Sequence, residues 1–178
     1  ITFYFSTNIF LGFDGQATQY KLATIMPGID ISFHIEPLGI IFSLLASGLW
    51  ILTHIYAIGY MRGAKEKNQS RFFFFFSVSI ASVMGISFSG NLFTLFLFYE
   101  LLTLITFPLV SHKGSSEALR GARVYLSILL GTSIGFQLLG IIWIYFSIGT
   151  LDFVKGGILN GSFGSLELII LVGLFAFG

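Results

Sequence analysis

Cysteine is missing from this 178-residue chain altogether, and charge is scarce, with Lys, Arg, Asp and Glu together making up only 10% of it. The first absence excludes disulfides, thiolate zinc sites and cysteine-ligated iron–sulfur clusters, so any electron transfer of that kind belongs on another chain. The second excludes an ordinary soluble domain, in which about a quarter of the residues are charged. A net charge of +1 offers no basic field for nucleic acid. The start of the chain also lacks the basic head and small-residue cleavage site of a secretory signal. What is present is apolar bulk: 55% hydrophobic residues, 17% aromatic ones and a mean hydropathy of +0.91. These values describe an integral, multi-pass membrane protein whose first partner is the lipid bilayer.

Hydropathy divides the chain into spans of about 37–61, 72–89, 91–110 and 124–148, each near the twenty residues a bilayer requires. Residues 1–13 read as the tail of a helix ended by Asp14, Gly15 and Gln16, and 165–178 as the start of a truncated span. With Ile rather than Met at position 1, the whole reads as a fragment forming one all-α membrane domain, a bundle of transmembrane helices. Between the tail and the first full span, Ile29, Ile31, Phe33 and Ile35 alternate with Asp30, Ser32, His34 and Glu36. That period of two predicts a short strand outside the membrane, with His34 and Glu36 on its wet face. A metal or catalytic role for that pair is the competing reading. Pro37 suits the first position of the helix that follows.

Loop charges orient the bundle. Seven of the nine Lys and Arg residues (Arg62, Lys65, Lys67, Arg71, Lys113, Arg120 and Arg123) fall in the loops after Met61 and Val110, against Lys21 and Lys155 on the other side. The positive-inside rule makes those loops cytoplasmic, or matrix-facing in an organelle.

Within the spans, polar side chains are few. Glu100 is tenth in the twenty-residue run 91–110, near the midplane, where an ionisable group costs a few kcal/mol or more unless paired, protonated or hydrated. Proton handling is the first reading; a neutral acid bonding a neighbouring helix, or a sodium site, are the alternatives. Thr103 is a local hydrogen-bond partner one turn on. His54 sits about 7 Å off the midplane of its span and carries the side chain suited to relaying protons near neutral pH, or simply to packing. Gln137, mid-span, suits an interhelical hydrogen bond or a water chain. Pro108 frees the carbonyl of Leu104 and either bends the helix or marks its end. Gly131 and Gly135, four apart, predict a close helix approach.

Three stretches carry a resemblance: EPLGIIFSLLASGLWILTHIYAIGYM, RFFFFFSVSIASVMGISFSGNLFTLFLFYELLTLITFPLVSH and ALRGARVYLSILLGTSIGFQLLGIIWIYFSIGTLDF. Together they resemble consecutive helices of the antiporter-like proton-conducting membrane subunits of complex I, Mrp-type sodium/proton antiporters and membrane-bound hydrogenases, over roughly residues 28–178. The resemblance implies many spans with broken helices, and Glu100 at the position of the family's buried glutamate. The lysine that pairs with it there falls beyond Gly178. His54 matches a position where only some branches carry histidine, and the outward strand resembles half of a hairpin that links neighbouring subunits. The function implied is a proton-translocating subunit of a respiratory NADH:quinone oxidoreductase or related antiporter complex. Glu100 would hold the proton, with His54, Thr103 and Gln137 as relay or support. Partners would be other membrane subunits and protons, with Na+ as the alternative ion, and no cofactor, metal or redox centre in this chain. A structural membrane anchor that conducts nothing is the rival. A redox enzyme with its own haem is disfavoured, because of the three histidines only His54 lies within a span.

Overall fold

Bilayer-length helices dominate the computed structural model, which describes residues 2–12, 18–159, 161 and 163–178. A short helix α1 (Thr2–Gly12) precedes a hairpin of β1 (Thr18–Met26) and β2 (Ile29–Ile35). Helices α2 (Pro37–Gly63), α3 (Gln69–Ser87), α4 (Leu92–Val110), α5 (Ser116–Thr132), α6 (Leu138–Ile148) and α7 (Ser165–Phe177) follow. A π turn, Ser133–Gln137, joins α5 to α6 without a break. Asp14, Gly15 and Gln16, expected to end the first helix, lie outside the described residues.

Four helical segments are long and apolar enough to cross a membrane. The nineteen residues of α3 and of α4 give about 28 Å of rise, close to the hydrocarbon thickness. The α5–α6 segment is 33 residues long, and Glu117, Arg120 and Arg123 in its first turns extend it beyond that layer. Large apolar side chains point outward, among them Leu38 at 78% and Phe146 at 82% exposure. Water would not tolerate so much exposed apolar surface, whereas lipid or neighbouring helices would cover it.

The interior is built differently from that of a soluble domain. Ser43, Ser47, Ser82, Thr94, Thr103 and Ser133 are all buried, and small residues of this kind let helix backbones approach. Several hydroxyls bond back into their own helix, as from Ser47 to the Ser43 carbonyl (2.6 Å) and from Ser43 to that of Ile40 (2.9 Å). At Gly39 the α2 backbone comes so close to the Ser87 carbonyl oxygen that a Cβ would collide with it. Among the described residues a Cβ at Gly131 or Gly135 would meet nothing within 4 Å, so the close approach expected there is made by no described residue. The tight contact of this segment is one turn further on, where Gly140 meets Phe175 and Leu174 of α7. An apolar cluster of Phe96, Ile141, Ile144, Leu151 and Leu171 ties α4, α6 and α7 together.

Several helix ends have a local cause. Pro37 opens α2 after an extended Glu36. The Asn91 side chain accepts from the Thr94 amide and caps α4, and Ser115 does the same for Ala118 and α5. Gly149, at φ +82°, closes α6 in the left-handed conformation that glycine adopts freely. Pro108 is absorbed within a continuous α4.

The extramembrane strand is half of a hairpin, as the resemblance implied: β1 pairs antiparallel with it across register shifts at Lys21/Ala23 and Thr24/Met26. Its polar face, expected to be wet, is covered from Asp30 to His34, with Ser32 4% exposed and more deeply buried than the isoleucines beside it, while Glu36 is exposed as expected. That face is turned onto the α3–α4 turn, where partners replace water. The Ser32 amide donates to Thr94 Oγ1 (3.0 Å) and the Gly90 amide to the Ser32 carbonyl (2.9 Å). Asn91 Nδ2 donates to the Asp30 carbonyl (2.7 Å) and to Ser32 Oγ (2.9 Å). A third segment joins here, with Leu92 donating to the Leu151 carbonyl and Phe153 to that of Gly90. His34 Nδ1 lies 3.3 Å from Glu36 Oε1. Among the described residues no three His, Asp or Glu side chains converge to hold a metal ion.

Candidate functional site

Glu100 lies near the middle of α4, eight residues or about 12 Å from its start. As a residue it is half-buried, and among the described residues no charged one falls in the fully buried set. Its carboxyl group, however, is withdrawn: both Oε1 and Oε2 are shielded and neither has a hydrogen-bond partner among the described residues. Phe96 and Thr103 on the same helix are buried beside it. Thr103 sits one turn on but donates its hydroxyl to the Tyr99 carbonyl (3.1 Å) rather than to Glu100. An ionised carboxylate held so would cost several kcal/mol. The position therefore calls for a proton, water or a countercharge.

His54 stands on α2, which packs against α1 and α3, while α4 packs chiefly against α3, α5 and the hairpin. The phenylalanine-rich α3 therefore comes between His54 and the Glu100 helix. The imidazole is gripped by rings: Phe76 stacks parallel to it at 5.8 Å, Trp50 lies at 4.7 Å and Phe73 at 5.1 Å. His54 Nδ1 and Trp50 Nε1 are shielded and unbonded among the described residues. Gln137 ends the π turn, and its backbone lies so close to Gly178 that a Cβ there would sit 2.6 Å from the Gln137 nitrogen. Of the four candidates, then, the structure puts Glu100 and Thr103 on one helix and places His54 and Gln137 on others. A histidine read only as a loop residue shares the condition of Glu100: both nitrogens of His112 are shielded and unbonded among the described residues. Its one sequence signal was a histidine directly after an apolar span.

Outside the membrane the electrostatics are resolved. Lys21 Nζ sits 2.5 Å from Asp30 Oδ2. That hydrogen bond, and a weaker one from Thr24, hold the Asp30 carboxyl below the usual aspartate range against the opposing effect of burial.

Comparison with known proteins gives this geometry a context. The profile described as NADH-Ubiquinone oxidoreductase (complex I), chain 5 N-terminus, matches residues 26–73. A second, NADH:quinone oxidoreductase/Mrp antiporter, TM, matches residues 89–178. Na(+)/H(+) antiporter subunit A1 of Staphylococcus aureus is 31% identical over 126 residues, covering 69% of this chain and 15% of that protein. The chain thus spans a small part of the curated relatives it matches. Among solved structures, the archaeal membrane-bound sulfane sulfur reductase complex superposes with a TM-score of 0.76 at 19% identity, over 97% of this chain and 26% of that one. The Mrp complex from Dietzia sp. DQ12-45-1b gives 0.69 at 19% identity, over 98% of this chain and 33% of that one. These two likenesses establish a shared fold. With the second profile covering half its length, the chain belongs to the NADH:quinone oxidoreductase/Mrp antiporter transmembrane family.

Proposed function

We propose that this chain is part of an antiporter-like membrane subunit that moves protons within a multisubunit complex, with Glu100 as the group that holds the proton. One observation carries the reading: a carboxyl group in the middle of a membrane-length helix, both oxygens shielded and neither bonded among the described residues. A carboxyl kept only for packing would be expected to have found a donor, because buried polar atoms are bonded in the great majority of cases. This one has none among the described residues. Bringing a cation near it, or taking one away, shifts its proton occupancy at constant pH. Such a group loads from one side and discharges to the other when its surroundings alternate. His54, with Nδ1 free, is the relay candidate, while Thr103 and Gln137 serve as helix and packing support.

The host is a bacterial inner or mitochondrial-type inner membrane, with the basic loops facing the cytoplasm or matrix. The name of the Staphylococcus aureus relative raises Na+ as a counter-ion. Replacing Glu100 by Gln in the full-length protein tests the reading, because Gln keeps the shape and loses the titration. Proton flux in vesicles should collapse while assembly persists. Near-normal flux with normal assembly would instead favour an anchor that conducts nothing.

A further inference from the structure

We propose that His112 is the proton-uptake group on the basic-loop side of the bundle, exchanging protons with water in the cavity beside it. This rests on the reading of the chain as a proton carrier. His112 follows α4 directly, twelve residues or roughly 18 Å beyond Glu100 along the helix direction. Its ring meets Phe72 edge-on at 5.4 Å, and both nitrogens are shielded without a bond among the described residues. A neutral imidazole carries one donor and one acceptor, and leaving both unmet in a packed site is costly. Both nitrogens are closed to water as the ring stands, so water satisfies them when the ring turns toward the cavity it lines. A cavity of about 400 Å³ opens beside the ring, with room for several molecules at about 30 Å³ each.

The groups around that cavity suit proton traffic. Tyr56 and Tyr60 face it from α2, Glu66 from the α2–α3 loop and Lys113 from the histidine's own loop. From α3 come only Phe72 and Phe76, and from α5 only Ala118. Glu66 supplies a negative charge that offsets Lys113 where protons arrive. The wall also reaches Thr53, the neighbour of His54. The two imidazoles flank one pair of rings: Phe76 stacks on His54, Phe72 lies 5.9 Å from Phe76, and His112 packs on Phe72. Those rings fix both histidines and carry no protons themselves, so transfer runs through the water. In the step, a hydronium on the loop side gives a proton to the unprotonated nitrogen of His112 and becomes water. The imidazolium then releases the proton on its other nitrogen to a water further in, and no electrons change hands.

The test uses the full-length protein in its complex, in proteoliposomes, with flux normalised to assembled protein. His112→Ala and His112→Gln should each lower flux about tenfold and change its pH profile. Millimolar imidazole should restore His112→Ala, since the cavity admits it. Should His112→Ala assemble poorly, His112→Gln decides. Wild-type flux and pH profile in His112→Gln beside an inactive Glu100→Gln overturns this inference alone. Slow flux in His112→Ala that imidazole does not restore, with an unchanged pH profile, also overturns it, as a structural role would predict. Full flux in Glu100→Gln overturns the parent reading instead.

Discussion

The hairpin junction and the helix interior treat polar groups in opposite ways. At the junction, Ser32, Asn91 and Thr94 are at least 95% buried, and their polar side-chain atoms are bonded. Asn91 alone joins three backbone or side-chain groups on two elements while capping α4. Among the polar groups there, Asp30 Oδ1 is the exception. Glu100 and His54 inside the helices, and His112 just past the end of α4, have shielded atoms with no partner among the described residues. A structural site closes its hydrogen bonds because each open one costs stability. A site that exchanges protons has to keep capacity open and bear that cost.

The contrast is sharpest when one substitution is made in both regions. Asn91→Leu should destabilise the fold by about 2–4 kcal/mol, since it removes a cap and strands the partners of the amide. Thermal melting of the purified full-length protein in detergent, compared with wild type, measures this. Gly39→Ala should cost about 1–3 kcal/mol in the same assay, because the new methyl meets the Ser87 carbonyl and backbone has to move. Glu100→Leu should leave the melting temperature unchanged or raise it by the equivalent of about 1 kcal/mol, removing an unpaired polar group from an apolar place, while proton flux is lost. A large loss of stability there would show that the carboxyl is bonded and would erase the contrast.

The smallest effect concerns pH. Asp30 titrates lower in the fold than its ordinary value of 3.8, so the unfolded chain binds more protons as acid is added. Its contribution is complete above about pH 4, and is lost as the pH falls through the depressed value. Hydrogen exchange of the hairpin amides, corrected for intrinsic rate, should stay flat from neutral pH down to about 5 and rise below 4. Lys21→Ala should move that rise to higher pH.

How much of this was legible in the sequence depended on which force placed each element. The spans were, because bilayer thickness demands about twenty apolar residues whatever the neighbours are. So was the position of Glu100 midway along one of them, which follows from counting residues in the run. Strand β1 was not: its two register shifts break the alternation that identifies a strand. The buried polar face of β2 read as the wet one, because periodicity separates two faces without saying which is covered. The residue pattern signalled a contact at Gly131 and Gly135, whereas among the described residues the close approach to α7 is at Gly140. The π turn left no mark in composition. His112 looked like one more loop residue until Phe72 packed on it and its nitrogens proved shielded.

The amino-acid order by itself determined that this chain lives in lipid, how many times its helices are long enough to cross, and that one carboxylic acid lies halfway along a crossing. Those properties follow from local hydropathy and helical rise, which no neighbour can change. The fold decided which polar groups found partners, because hydrogen bonds between Ser32, Asn91 and Thr94 join residues about sixty positions apart. Whether a buried atom is bonded or left open is settled only when distant segments pack, and here that distinction separates the scaffold from the candidate path of the proton.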